Sequence, residues 1–186
     1  MDSTLSNRPP IMTEKEDILD IVNERDEVIG QTPRSQAHAQ RLLHRAAHVW
    51  IFNARGELLM QRRSAFKDSY PNVWTSSVCG HVDSGESYLE AARREIQEEV
   101  GWTAPLDLKE IAYVAAREET SQEFTRLYRA NCEGPFSFPS EEISELHWMS
   151  FQKIDEAMRQ QPDEFAPVFC FLWKHYGSGA TASSAR

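Results

Sequence analysis

Between Gly80 and Trp102 the chain reads GHVDSGESYLEAARREIQEEVGW, and no other stretch constrains the fold as tightly. Ser87 followed by Glu90 is a capping-box signature, which predicts a helix starting there. The helix is expected to end near Val100, with Gly101 as its stop. On a helical wheel Leu89, Ala92, Ile96 and Val100 form one apolar stripe that must face a core. Glu95, Glu98 and Glu99 share the neighbouring flank. Carboxylates three and four apart on a helix repel one another, so this grouping costs stability unless a cation neutralises it. Oxygen ligation suits a hard ion such as Mg²⁺ or Mn²⁺. A solvated acidic face, paired with Arg93 and Arg94, is the plainer alternative for these residues alone.

The rest of the chain limits what such a helix can belong to. At 186 residues there is room for one domain with its own core. A net charge of −9 leaves no basic stripe for nucleic acid. It leaves a phosphate-bearing small molecule open, because a metal and local arginines reverse the field inside a site. No apolar run approaches the length of a membrane span, and MDSTLSNRPPIM lacks the layout of a signal peptide. Cys79, Cys132 and Cys170 are too few and too scattered for a disulfide framework or a zinc site, and they fit a reducing cytoplasm.

In chain order, residues 1–16 are polar and expected to be mobile. Ile18–Val22 and Glu27–Gln31 read as a strand hairpin, and Ser35–Leu43 as a short helix. His44–Asn53 reads as a long half-buried strand that returns through Asn53–Gly56 into Glu57–Arg63, a second hairpin. Trp74–Val82 is a β stretch leading into the acidic helix. Leu106–Arg117 and Glu123–Cys132 are two more strands, and Ile143–Ser150 another. Ser150 is placed to cap a helix running to Gln161. Ala166–Tyr176 reads as an apolar final helix, and residues 177–186 as a flexible tail. The pattern predicts one α+β domain over residues 17–176, with a mixed sheet between helices. The first hairpin and the last helix are available to cover the sheet edges or to form a homodimer seam. Trp50, Phe66, Tyr70 and Trp74 are expected near the site, as core more than as stacking partners.

Gly80, Glu86, Arg94-Glu95, Glu98-Glu99 and Gly101, at these spacings, resemble the Nudix box at every position. Trp102 departs from the aliphatic residue usual at the last one. The resemblance implies a Nudix-fold α/β/α sandwich and an enzyme that cleaves a diphosphate linked to another moiety, using metal-activated water. It implies Glu95, Glu98 and Glu99 as metal ligands, with Gly80 offering its carbonyl and Arg94 orienting Glu95. A non-catalytic Nudix-fold binding module is the other class, and the intact box argues against it.

A narrower resemblance begins at Leu43. LHRAAHVWIFNARGELL and QRRSAFKDSYPNVWTSSVCGH look like type I isopentenyl-diphosphate isomerases, which share the fold. Carried over position by position, Cys79 and Glu123 match the isomerase's catalytic pair. His44, His81 and Glu99 match metal positions, and Arg63 and Lys67 match diphosphate contacts. The departures favour hydrolysis. Without a gap, the isomerase's other metal histidine falls at Ala37, leaving His38 one residue out of register. Its second metal glutamate falls at Ser121, and the tryptophan shielding its cationic intermediate falls at Val168. Arg94-Glu95 and Glu98 stand where the isomerase has lost the Nudix pattern. Glu123 is then available as an extra metal ligand or general base.

Overall fold

The computed structural model describes residues 16–182. The expected mobile N-terminus thus lies, but for Glu16, outside the described residues, as do positions 183–186 of the expected tail. The chain opens with an antiparallel pair, β1 (Ile18–Val22) and β2 (Val28–Pro33), followed by α1 (Arg34–Ala39). Then come β3 (His44–Phe52), β4 (Leu58–Arg63), β5 (Trp74–Thr75), β6 (Val78–His81) and α2 (Tyr88–Val100). After α2 run β7 (Lys109–Val114), β8 (Glu123–Asn131), β9 (Ile143–Met149), α3 (Phe151–Gln160) and α4 (Pro167–Ala182). The larger sheet is ordered β5-β4-β3-β8-β7, with β6 also paired to β3 and β9 to β4. It is mixed, because β3 and β8 run parallel.

Strand β3 explains the layering. In HRAAHVWIF successive side chains point to opposite faces. Ala47, Val49 and Ile51 pack against Ala91, Ala92, Ile96 and Val100 of α2. Trp50 and Phe52 point the other way, into a core with Ile154 of α3 and Phe169, Leu172 and Trp173 of α4. Ile51, Phe52 and Phe169 are fully buried, and burying such a side chain contributes roughly 1.5–3 kcal/mol. The outcome is the α/β/α sandwich that the sequence predicts. Trp173 also ties the two outer helices, its indole N–H donating to Asp155 at 2.8 Å.

Helix α2 starts and stops where its sequence says. The Ser87 hydroxyl accepts from the Glu90 N–H at 3.3 Å, and the Ser87 N–H donates to the Glu90 carboxylate at 2.8 Å. Gly101 takes the left-handed conformation, φ 65°, that closes the helix.

Four expectations change. The second hairpin exists only at its base, Phe52 opposite Leu58, because β4 leaves β3 to pair with β9 and β5. The Trp74–Val82 stretch splits at Ser76 and Ser77, both fully buried. There Ser77 turns inward, its hydroxyl donating to the Leu59 carbonyl at 2.6 Å and accepting from the Ile51 N–H at 2.8 Å. Helix α1 is shorter than Ser35–Leu43, ending before Arg41, whose φ is 53°. Helix α4 runs through the expected tail to Ala182, and the Trp173 ring lies against Gly177, where a side chain would crowd it.

The N-terminal pair and α1 have their own small core, Leu19, Ile21 and Ala37. Asp26, at the hairpin turn, fastens them to the domain. Its carboxylate accepts from Arg45 Nε at 2.6 Å, Tyr88 Oη at 2.9 Å and Tyr113 Oη at 3.2 Å. No helix among the described residues is long and apolar enough to cross a membrane.

Candidate active site

The acidic flank of α2 lies against β6, and the two together line a cleft of about 790 Å³. Glu99 is buried, and its carboxylate accepts from the Cys79 N–H at 2.9 Å. Arg94 grips its surroundings with all three nitrogens. Nε and Nη2 donate to the two oxygens of Glu86 at 2.9 and 3.0 Å, and Nη2 also reaches the His81 carbonyl at 2.9 Å. Nη1 donates to Glu95 at 2.7 Å and to Glu98 at 3.0 Å. Arg94 is thereby fully occupied in positioning carboxylates. Burial, reinforced by repulsion from Glu95, pushes the Glu99 carboxyl up to about 8. Burial also lifts Glu95, to about 7, against the pull of Arg94. Carboxylates that hold protons near neutrality are short of positive charge, the deficit a divalent ion would meet.

Gly80 lies directly against this group. A Cβ there would fall 2.0 Å from Glu95 Oε1. Gly80→Ala must therefore swing the Glu95 carboxylate away, since the three atoms nearest the new Cβ all belong to that flexible side chain. We expect this variant to melt within a few degrees of wild type. Its kcat should fall by roughly tenfold or more, since a small misplacement of a reacting group costs that much. Thermal melts and steady-state kinetics on one preparation check both halves.

A second cluster lies beside the first. His38, His44, His81 and Glu123 bring their ligand atoms within 4.8 Å of one another. The β3–β8 register sets His44 opposite Glu123, and β6 brings His81 opposite Ala46. His38 comes from α1, its Nε2 lying 3.0 Å from His81 Nε2. The register count that set His38 aside is overturned here. Ala37 is the buried residue of that helix, and the next position turns into the site. His44 Nδ1 lies 2.8 Å from the Leu42 carbonyl, which can only accept, so Nδ1 carries the proton and Nε2 faces the cluster. His44 Nε2 is buried without a hydrogen bond. Burial alone would raise Glu123, yet the His44 and His81 imidazoles, 3.5 and 3.3 Å from its carboxylate, hold it well below the usual range. Burial, with repulsion from His81 and His44, lowers His38 to about 4.

His38, His81 and Glu123 line a smaller recess of about 100 Å³ that shares Cys79, Gly80 and His81 with the cleft. Arg34 and Arg63 border both spaces. The Arg63 guanidinium donates to the carbonyls of Ser69 at 2.9 Å and Tyr70 at 3.2 Å. Lys67 borders the outer cleft, paired with Glu142. Arg34, which belongs to no motif, is paired with Asp68 at 3.4 Å. Cys79 sits where cleft and recess meet, and burial, with the Glu99 charge, pushes its thiol up to about 12. Of the four aromatics, Trp50 is core and Trp74 packs on His147. Tyr70 borders the recess, and Phe66, 79% exposed, borders the cleft. Val168 and Ser121 line the recess.

The model of the NUDIX domain matches residues 42–169. An uncharacterised Nudix hydrolase of Yersinia pestis is 39% identical over 149 residues, covering 80% of this chain and 79% of that protein. An isopentenyl-diphosphate Delta-isomerase of Serratia proteamaculans is 33% identical over 174 residues, 92% of this chain and 97% of that one. Among solved structures, DR0079 of Deinococcus radiodurans superposes with a TM-score of 0.72 at 29% identity, over 91% of this chain and all of that one.

Proposed function

The chain belongs to the Nudix family, and from that premise we propose that it hydrolyses a phosphoanhydride in a small-molecule diphosphate, with Mg²⁺ or Mn²⁺ held on the α2 carboxylates. The observation that carries this reading is the convergence of Glu95 and Glu98 on Arg94, with buried Glu99 on the same flank of α2. Their oxygens and the Gly80 carbonyl suit a hard cation. Such an ion clamps phosphate oxygens and lowers the pKa of bound water. The protein's own part is orientation. Arg94 fixes Glu95 and Glu98, the Cys79 N–H fixes Glu99, and Arg34 and Arg63, which border both spaces, are available to meet phosphate charge. Lys67, at the cleft wall, is placed to exchange Glu142 for a phosphate oxygen.

The imidazole cluster supports a second ion site. Its three nitrogens and one carboxylate suit a borderline metal such as Zn²⁺. His38, in reach, weakens one of the departures that separate this chain from the isomerases, so isomerase-like chemistry is the second reading. Ser121 and Val168 still stand where those enzymes carry the other metal ligand and the cation shield, and hydrolysis remains ahead.

The test is Mg²⁺-dependent phosphate release from nucleoside di- and triphosphates, nucleotide sugars, coenzyme A and prenyl diphosphates, with chelated enzyme as blank. Cys79→Ala should leave hydrolysis within about threefold of wild type, because its thiol stays protonated and hydrolysis does not call on it. Silence across the panel, with isopentenyl diphosphate exchanging protons until Cys79 is removed, would hand the site to the isomerase reading.

A further inference from the structure

Strand β3 carries another histidine that neither cluster uses. His48 shares a face with His44 and lies opposite Cys79 of β6. It is 3% exposed and lines the inner recess. Its Nδ1 lies 2.9 Å from the Ser76 hydroxyl. The same oxygen accepts the Trp50 indole N–H at 3.1 Å. An indole can only donate, so the serine's own hydrogen remains to be placed. Ser76 is fully buried, and the ring nitrogen Nδ1 is the acceptor within its reach. The opposite arrangement, with Nδ1–H donating, would strand the hydroxyl hydrogen without an acceptor, a costly loss in a buried site. The relay thus runs from Trp50 through Ser76 to His48 Nδ1, and the imidazole proton sits on Nε2. That nitrogen makes no hydrogen bond to another described residue and, unlike His44 Nε2, is not sealed from accessible space. Burial lowers the ring's pKa to about 4, so the N–H persists, uncharged, at ordinary pH.

We propose that His48 donates its Nε2–H to an acceptor on the substrate's organic half, so that the recess selects a small oxygen-bearing group over a plain hydrocarbon. The proposal rests on the reading of cleft and recess as a diphosphate site. A recess of about 100 Å³ takes only a few heavy atoms beyond the arginines, so a bulky moiety such as a nucleoside must lie in the outer cleft. A hydrocarbon filling the recess would leave the His48 N–H dry and unpaired. A carbonyl would meet it. Sites built around such a donor reject the analogue lacking the acceptor far more strongly than apolar pockets discriminate by size.

Two measurements test it on the full chain. Nitrogen-15 histidine spectra, with His48 assigned by loss of its signals in His48→Gln, should show a neutral Nε2–H tautomer from pH 6 to 8. An Nδ1–H tautomer or a charged ring would overturn the proposal whatever the ligand. The second is calorimetric titration in Mg²⁺ with 4-oxopentyl diphosphate and with 4-methylpentyl diphosphate, matched in size and differing in the acceptor. Wild type should bind the ketone roughly tenfold tighter. His48→Phe should lose that preference, and His48→Gln, whose amide N–H occupies nearly the place of Nε2, should retain part of it. Equal affinities in wild type, or a preference that survives in His48→Phe, would sink the proposal. If neither diphosphate binds, the inference fails, while phosphate release across the wider panel decides the diphosphate reading separately.

Discussion

Glu99→Gln is expected to lower kcat for phosphate release by roughly a hundred- to a thousandfold, the order seen when one stabiliser of developing charge is lost, because it weakens the hold on the proposed ion. The glutamine keeps the volume of the side chain and an oxygen to accept the Cys79 N–H, so the contact at 2.9 Å can persist. What disappears is the negative charge beside Glu95. In chelator that loss should stabilise the fold, because burial and Glu95 both disfavour the ionised form of Glu99. The combined signature is a near-dead enzyme whose metal-free melting midpoint at pH 8.5 lies above wild type. Retention of more than about a tenth of the wild-type kcat would remove Glu99 from the proposed centre.

The same carboxylates set the second large effect. Glu95 and Glu99, raised to about 7 and about 8, bind protons in the folded chain that the unfolded chain releases at lower pH. Their contribution to stability is complete below the ordinary carboxylate range and drains away as pH climbs through those values. His38 and His48, held near 4, act in the opposite sense, but their effect is confined to pH below about 6.5, where an unfolded histidine begins to protonate. His44, raised by Glu123 against its burial, acts in the same sense as the carboxylates, so from pH 6.5 to 9 the melting midpoint of chelated protein should fall by roughly 5–10 °C. Excess Mg²⁺ or Mn²⁺ should flatten or reverse the slope, since cation binding displaces those protons and tightens with pH. Scanning calorimetry across that range, with and without metal, decides it. A metal-free midpoint that stays level would mean the two carboxyls are not short of positive charge.

How much of this was legible depends on how local each signal is. The α2 cap, its apolar stripe and its acidic flank all lie within one helix, where spacing alone fixes geometry, and the structure returns them nearly residue for residue. The mixed sheet between helices followed from the interleaving of strand and helix stretches, and the sandwich from the Nudix resemblance. Partners set by distant chain were harder. That β4 abandons β3 for β9 depends on which strand arrives later, and HRAAHVWIF and ELLMQRR carry no mark of it. His38 was set aside by counting, because a register rule cannot see that α1 closes early and aims the residue after Ala37 inward. His48 belongs to no motif. The available signal was parity: it stands an even number of places from His44 on a strand, so the two must share a face. Helix α4 outran its expected end because Gly177 and Gly179 read as breakers, whereas the Trp173 ring packs against the first of them.

The parallel pairing of β3 with β8 has a consequence in time. His44 meets Glu123 across a register that no local turn can enforce, because α2 and β7 must first be threaded between them. Loop closure over so much chain slows folding and leaves the half-made sheet exposed. A nascent chain emerging from the ribosome can wind α2 early, yet its imidazole cluster lacks a carboxylate until β8 has emerged and docked. Were a metal to bind at the proposed histidine site, its capture would be a late event in the life of each molecule, denied to partial products of synthesis.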